Sequence, residues 1–458
     1  MLDFTKVDAL IDEYMPRMER DLKTLIDIPS VEAESAGEGA PFGLEVQRSL
    51  TAALAICEDL GLSTCDMEGY CGYADLKGET DEQVGVLGHL DVVPADPADW
   101  SHPPYNCEIV DDKIYGRGTM DDKGPMLAAL YGAKALVEAG IPLRKTVRFI
   151  FGCNEETGMA CMKYYMQKMT PPTCGFTPDA EWPLIVGEKG IMHHEFSAKW
   201  AAAESGARLV RISAGAAANV VPAKAEAVLL DFDAELPTTD GITVKREGNE
   251  THIFSAGVAA HASTPEDGEN ALAKLFHYLA KLDFAPAAAK ETIVKLSALT
   301  QDDSFGADFG VAAQDELSRT THTPTMCTLT EEGFTLMCDM RFCLTHRSDR
   351  YLAILKDTAE KNGFDFNPGM YQEPLYLGAD HPLAGKLMES YRDVSGKDYE
   401  PLIIGGGTYA KVMPNFLAFG PEPYDEPARA HQADEYITRT ELRDAARIYA
   451  RAIARMAE

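Results

Sequence analysis

Five short stretches of this chain place histidine and carboxylate side chains at the ends of apolar segments. They are GHLDVVP with His89 and Asp91, GRGTMDDKG with Asp121 and Asp122, NEETG with Glu155 and Glu156, FTPDAE with Asp179, and AHQADEY with His431 and Glu435. Singly, each has an ordinary structural reading. A histidine at a strand end serves most often as a hydrogen-bonding group, paired aspartates before a helix make an acidic cap, and adjacent glutamates are common on surfaces. Together they offer imidazole and carboxylate donors without a thiolate, a set that suits Zn²⁺, Mn²⁺ or Co²⁺ without choosing among them. Residues two apart on a strand face the same way, so Asp91 can orient or polarise His89. Adjacent glutamates can divide their work, Glu156 facing a cation and Glu155 the water beside it. If Asp121 bridges two ions, His89 and Asp179 can complete one site, and Glu156 and His431 the other. Two cations about 3.5–4 Å apart can share a hydroxide and neutralise a tetrahedral intermediate, with Glu155 moving the water proton to a departing amine.

Such positions need a scaffold that ends several strands at one edge. QVGVLGHLDVVP is short, apolar and valine-rich, as expected of a buried strand that stops at His89 and Asp91. KGPMLAALYGAKALVEA, residues 123–139, reads as a helix with Pro125 in its first turn and Gly140 as its stop. KTVRFIFG, residues 145–152, reads as a second strand, and NEETGMACMKYYMQKM continues into another helix. Strand, helix, strand, helix predicts a largely parallel sheet covered on both faces, with groups at the carboxyl ends of its strands falling in one crevice. Upstream, residues 5–27 have helical spacing, with Pro16 placed to kink or divide the element, and a second helix is expected over 43–60. After Gly187 the texture changes. ARLVRISA, AEAVLLDFDAEL and FTLMCDMRFCL alternate as antiparallel or mixed strands do, a helix is expected over 270–282, and the Ala- and Pro-rich 284–289 reads as a hinge or, in the simpler reading, a loop. From His381, KLMESYRDVSG, PLIIGGGTYAK and FLAFG restore helix and strand. The fold class is α/β: a discontinuous catalytic domain, 1–186 and 381–458, with an inserted α+β lid domain, 187–380.

Length and charge bound the rest. A chain of 458 residues, 45% of them apolar, exceeds one ordinary core. Its 42 basic residues against 73 acidic ones give a formal net charge of −31, a field that repels nucleic acid and anionic bilayers. No apolar run reads as a secretory signal or membrane span, and the ten scattered cysteines read as reduced thiols, so a cytoplasmic protein is expected. IIGGGTYAK lacks the spacing of a phosphate-binding loop and reads as a glycine-rich strand exit.

The motif set, GHLDVVP, GRGTMDDKG, FGCNEETG, FTPDAE and AHQADEY, closely resembles the M20 metallopeptidase family, in particular its PepV-like Xaa-His dipeptidase, or carnosinase-like, branch. The resemblance covers essentially the whole chain. It implies two divalent metal ions, foremost Zn²⁺, with Mn²⁺ or Co²⁺ as alternatives. Asp121 would bridge them, with His89 and Asp179 on one and Glu156 and His431 on the other, Asp91 orienting a histidine and Glu155 acting as general base. It also implies a cis peptide bond after Asp121. In the insertion, Asn219 of AGAAANVVP and His261 of GVAAHASTPEDGENA resemble lid residues that meet the scissile carbonyl, His261 donating to its oxygen. Arg341 of CDMRF resembles an arginine that grips the substrate carboxylate, near which Gly406, Gly407 and Thr408 would bring donors. The expected activity is hydrolysis of dipeptides or other short peptides with a free amino terminus. A deacylase of N-acyl amino acids is the enzymatic alternative, and an inactive peptide-binding protein the alternative of another class. The long insertion lets one chain supply contacts that other members take from a partner, so a monomer fits the sequence and a homodimer is not excluded.

Overall fold

The computed structural model describes residues 3–458. The chain divides into two compact units, one formed by residues up to Gly187 with Leu377–Leu402 and Thr408–Glu458, the other by Glu188–Tyr376 with Ile403–Gly407.

The first unit is built on a sheet whose strands lie in the order Ser63–Met67, Cys71–Leu76, Lys145–Gly152, Thr80–His89, Cys174–Thr177, Phe416–Ala418 and Ile185–Glu188. Its centre is parallel: Lys145–Gly152, Thr80–His89, Cys174–Thr177 and Phe416–Ala418 run the same way. Both edges are antiparallel. Lys145–Gly152 is buried from Thr146 onward, which an apolar strand achieves only when both faces are covered. The helix Lys123–Ala139 supplies much of that cover. It is apolar nearly all round, and Gly140 ends it in the left-handed conformation at φ 80°, its N–H turned back to the helix carbonyls. The first helix, Thr5–Ile26, runs unbroken through Pro16 and buries Val7, Ile11, Met18, Leu22, Leu25 and Ile26. The last helix, Arg439–Met456, begins with a capping box between Thr438 and Glu441.

The second unit is an eight-stranded antiparallel sheet in the order Ile242–Glu247, Glu250–Ala256, Lys224–Leu230, Arg208–Ala214, Thr321–Thr330, Gly333–Phe342, Gly190–Lys199 and Asp365–Gln372. Inward-facing residues of its strands, such as Leu209 before a bulge and Ile212 and Ala214 after it, join a core with Leu272, Leu275, Phe276, Ile293, Leu296, Tyr351 and Leu355 from three helices. The segment 284–289 is a loop only in part: a cis Ala285–Pro286 bond precedes the helix Ala287–Leu299.

Candidate metal centre

Parallel register brings the first donors together. His89 ends its strand opposite Gly152, the last residue of its neighbour, so Glu155 and Glu156 emerge beside it. Asp179 follows Thr177 from the next strand. His89 Nε2 lies 2.8 Å from Asp121 Oδ1 and 3.7 Å from Asp179 Oδ2. His431 Nε2 lies 3.0 Å from the other oxygen of Asp121 and 3.1 Å from Glu156 Oε2. Donor atoms of His89, Asp121 and Glu156 fall within 4.8 Å of one another, as do those of His89, Glu155 and Asp179. The five expected ligands and Glu155 therefore share one crevice.

The supports are specific. The Asp121–Asp122 peptide bond is cis. Asp122 precedes the helix Lys123–Ala139 without capping it by its side chain; its buried carboxylate accepts the His89 backbone N–H at 3.2 Å. That approach requires Gly88, where a Cβ would stand 2.1 Å from Asp122 Oδ2. His89 Nδ1 donates to the Asp91 carbonyl oxygen at 2.8 Å, while the Asp91 carboxylate stands 3.6 Å from that nitrogen and accepts the Glu156 N–H at 3.1 Å. Buried Glu435 accepts from the N–H groups of Gly118, Met120 and Asp121 at 3.0, 2.9 and 3.3 Å, and from Arg117 at 2.7 Å. It props the loop that carries Asp121. Lys123, fully buried, donates to the carbonyls of Leu25 and Ile28 and fastens the same loop from below. Tyr409 packs its ring at right angles to that of His89, and its hydroxyl hydrogen-bonds with Cys161. Neither the Lys123 nor the Tyr409 contribution was readable in the motifs, because both act through burial.

The donor set fits cations. Burial pushes His89 down, but Asp121 and Asp91 outweigh it and hold the ring well above its usual value; a bound cation would take the place of the Nε2 proton, while the proton on Nδ1 stays with the Asp91 carbonyl. That Nε2 and Asp121 Oδ1 are both buried and lie 2.8 Å apart, with no third group satisfying either, a spacing at which one cation could take both. The charge balance agrees. Burial and the neighbouring Asp121 push Asp179 up to about 8, and burial with Asp179 holds Glu155 well above the usual carboxylate range. Burial pushes His431 down, but Asp121 and Glu156 outweigh it and lift it to about 11. Crowded carboxylates drawing protons onto themselves and their histidines carry negative charge that bound dications would neutralise.

The second unit carries the remaining expected residues. Val220 and His261 form a short antiparallel bridge, and Ala262 N–H donates to the Asn219 carbonyl at 2.8 Å, so Asn219 and His261 lie side by side. His261 Nδ1 accepts the Ser263 N–H at 3.1 Å, which leaves the ring proton on Nε2. Arg341 is buried, its Nε and Nη2 bonded to Asp339 at 2.8 Å each and its Nη1 to the Gly405 carbonyl at 2.8 Å. Gly406 and Gly407 follow in the same unit. In the first unit, Thr408 accepts the Ala410 N–H and caps the turn Tyr409–Val412.

A covered, centrally parallel sheet with this cluster at its strand ends defines a hydrolase with a candidate dinuclear metal site. A match to the family described as Peptidase family M20/M25/M40 spans residues 85–455, and the chain belongs to that family. It is 35% identical to "Putative dipeptidase YtjP" of Bacillus subtilis (strain 168), over 96% of this chain and 97% of that protein. It is 32% identical to the Beta-Ala-Xaa dipeptidase of Lactobacillus delbrueckii subsp. lactis, over 95% and 94% of the two chains. The fold is similar to that of human carnosine dipeptidase 1, with a TM-score of 0.60 at 16% identity, covering 99% of this chain and 100% of that one. Among the described residues no helix is long and apolar enough to cross a membrane, and all ten cysteines are free.

Proposed function

We propose that this chain is a dinuclear metal-dependent dipeptidase of the PepV-like, carnosinase-like branch, acting in the cytoplasm on short peptides with a free amino terminus. The observation that carries the reading is the two-sided engagement of Asp121, with His89 against one oxygen and His431 against the other. Asp121 would bridge, His89 with Asp179 and Glu156 with His431 completing two sites for Zn²⁺, or for Mn²⁺ or Co²⁺. When bound, the ions supply Lewis acidity toward the scissile carbonyl and lower the proton affinity of water.

The chain's own groups do the rest. A Glu155 carboxylate oxygen takes a proton from the attacking water and returns it to the departing amine nitrogen. Asp91 holds the loop of Glu156 and, through its carbonyl, the tautomer of His89. The His261 Nε2–H and the Asn219 amide are donors for the carbonyl oxygen as it gains charge. Gly406, Gly407 and Thr408 receive the substrate carboxylate. Arg341, whose Nη1 and Nη2 each keep one N–H beyond the bonds to Gly405 and Asp339, reads that carboxylate and holds the glycine strip through Gly405. The sequence relationship to a Beta-Ala-Xaa dipeptidase supports a dipeptide substrate over an N-acyl amino acid.

The test is a panel of Ala-His, β-Ala-His, hydrophobic dipeptides and N-acetyl and N-succinyl amino acids. Metal-stripped protein is reconstituted separately with Zn²⁺, Mn²⁺ and Co²⁺. Dipeptide turnover is expected; hydrolysis confined to the N-acylated compounds overturns the reading in favour of a deacylase. Glu155→Ala should lower kcat about 10²–10⁴-fold while metal content, read by elemental analysis, stays at the parent level. Near-parental turnover in that variant removes Glu155 as the base.

A further inference from the structure

A second cluster of metal-ligating side chains lies in the sheet of the second unit, formed by His194, His322 and Cys338. Three adjacent strands supply them. His194 of Gly190–Lys199 stands directly across from Cys338 of Gly333–Phe342. On the far side of that strand Cys338 faces Pro324, two residues beyond His322, which places His322 diagonally across from Cys338. All three are fully buried, and their donor atoms fall within 4.8 Å of one another. His194 Nε2 and His322 Nε2 share a hydrogen bond at 3.1 Å, so one of the two carries a proton. The surroundings are aromatic: Phe196 and Phe366 pack on His194, and Phe309 packs on His322 with ring centroids 4.4 Å apart.

From this geometry we propose that His194, His322 and Cys338 form a site for one soft monovalent cation, Cu⁺, separate from the carboxylate-rich centre of the first unit. Three observations point there. The Nδ1 atoms of both histidines make no hydrogen bond, so nothing on the far side of either ring fixes its tautomer; the proton that joins the two Nε2 atoms can pass to Nδ1 and leave both Nε2 lone pairs for one ion. Burial keeps both imidazoles neutral, His322 down to about 4 and His194 well below its usual value, which is the form that ligates. Charge then selects the ion. Binding displaces the Cys338 thiol proton and leaves each imidazole one proton on Nδ1, so Cu⁺ with one thiolate and two neutral rings sums to zero. A dication would leave one uncompensated positive charge, because the neighbouring carboxylate, Asp339, is already bonded to Arg341 and His193. Thiolate and imidazole ligands in a three-coordinate set favour Cu⁺, whereas zinc sites take a fourth ligand and the cluster holds no fourth His, Cys, Asp or Glu donor.

The experiment uses the full-length protein with its first-unit centre loaded with Zn²⁺. It is titrated anaerobically with Cu⁺ buffered by bicinchoninate, desalted, and analysed for copper and zinc. One copper per chain is expected, with zinc content unchanged, and X-ray absorption should give a shell of one sulfur and two nitrogens. His322→Phe and Cys338→Ser should each lose that copper. The absorption spectrum of the unaltered protein tests the ligand set without any variant, so a misfolded variant leaves the outcome decidable. No retained copper, a sulfur-only shell, or variants that hold as much copper as the parent each overturn the assignment. Retention of Zn²⁺ at the cluster with refusal of Cu⁺ overturns the choice of a monovalent ion. None of these outcomes depends on peptide hydrolysis.

Discussion

Replacing Asp339 by Asn should destabilise the second unit by an amount the structure specifies. The Asp339 carboxylate is fully buried and accepts two bonds from Arg341 at 2.8 Å each and one from His193 at 2.8 Å. Burial alone would raise its pKa, yet Arg341 and His193 overcome that penalty and hold it down at about 2, against an ordinary 3.8. At about 1.4 kcal/mol per pKa unit, that shift is worth roughly 2–3 kcal/mol of stability at neutral pH. Asn keeps the shape and one acceptor oxygen, but its NH₂ then faces donors, and Arg341 is left as a buried, unpaired cation. Removing one partner of such a pair costs about 3–5 kcal/mol. The two routes meet near 3 kcal/mol, which lowers the melting temperature of a unit of this size by roughly 6–12 °C. The sign with pH follows from the depressed pKa. The contribution is fully present above about pH 4 and is lost as pH falls toward 2, where parental Asp339 takes up its proton. Thermal melting of parent and variant should therefore differ most at pH 7 and converge below pH 4. Equal melting at pH 7, or a gap that widens on acidification, would refute the reasoning.

Three further outcomes follow from the first unit. Glu435→Ala removes the acceptor of three N–H groups beneath Asp121 and should weaken divalent-metal affinity about 10–100-fold, as loss of an outer support does; chelator competition measures it. Gly152→Ala would set a Cβ 2.0 Å from the Tyr409 hydroxyl, so overpacking of about 1–3 kcal/mol is expected, with a fall in turnover larger than that of an alanine at the exposed Gly248. Divalent metal at about 100 times its dissociation constant should stabilise the first unit by about 2.7 kcal/mol per site, read as a rise in melting temperature that EDTA reverses. Absence of that rise would argue against a metal-holding native state.

The donors were legible because each is polar where an apolar segment stops. His89, Asp121, Glu155, Glu156 and Asp179 all follow or precede elements whose ends the sequence marks plainly, such as KTVRFIFG, found as Lys145–Gly152, and the helix Lys123–Ala139. Pro16 misled in one respect. A single missing N–H did not divide the first helix, because the packing of Val7, Ile11, Met18 and Leu22 spans it. The helix Ala287–Leu299 was hidden by the Ala- and Pro-rich text before it, where a proline serves as its N-cap. The role of Arg341 was the least legible. Asp339 stands two residues before it in CDMRF and so faces the same way, but only the structure shows that the pair is buried and that Asp339 takes the Nε and Nη2 side of the fork.

Sequence distance explains why the supports were harder to read than the donors. A ligand announces itself by residue type, but a support is defined by what it touches. Glu435 was readable only as a cap or prop near His431; its bonds run to Gly118, Met120 and Asp121, more than three hundred residues earlier. Lys123 would be drawn as a solvated helix residue, yet its ammonium is spent on Leu25 and Ile28, carbonyls at the end of the first helix. The Asp121 loop is thus pinned from the C-terminal segment on one side and from the N-terminal helix on the other. Its two carboxylate oxygens can face His89 and His431 at once because the backbone that carries them has little freedom left. In that sense the rigidity of the centre is a property of the whole first unit, and the five motifs supply its chemistry only after chain segments outside them have fixed where Asp121 points.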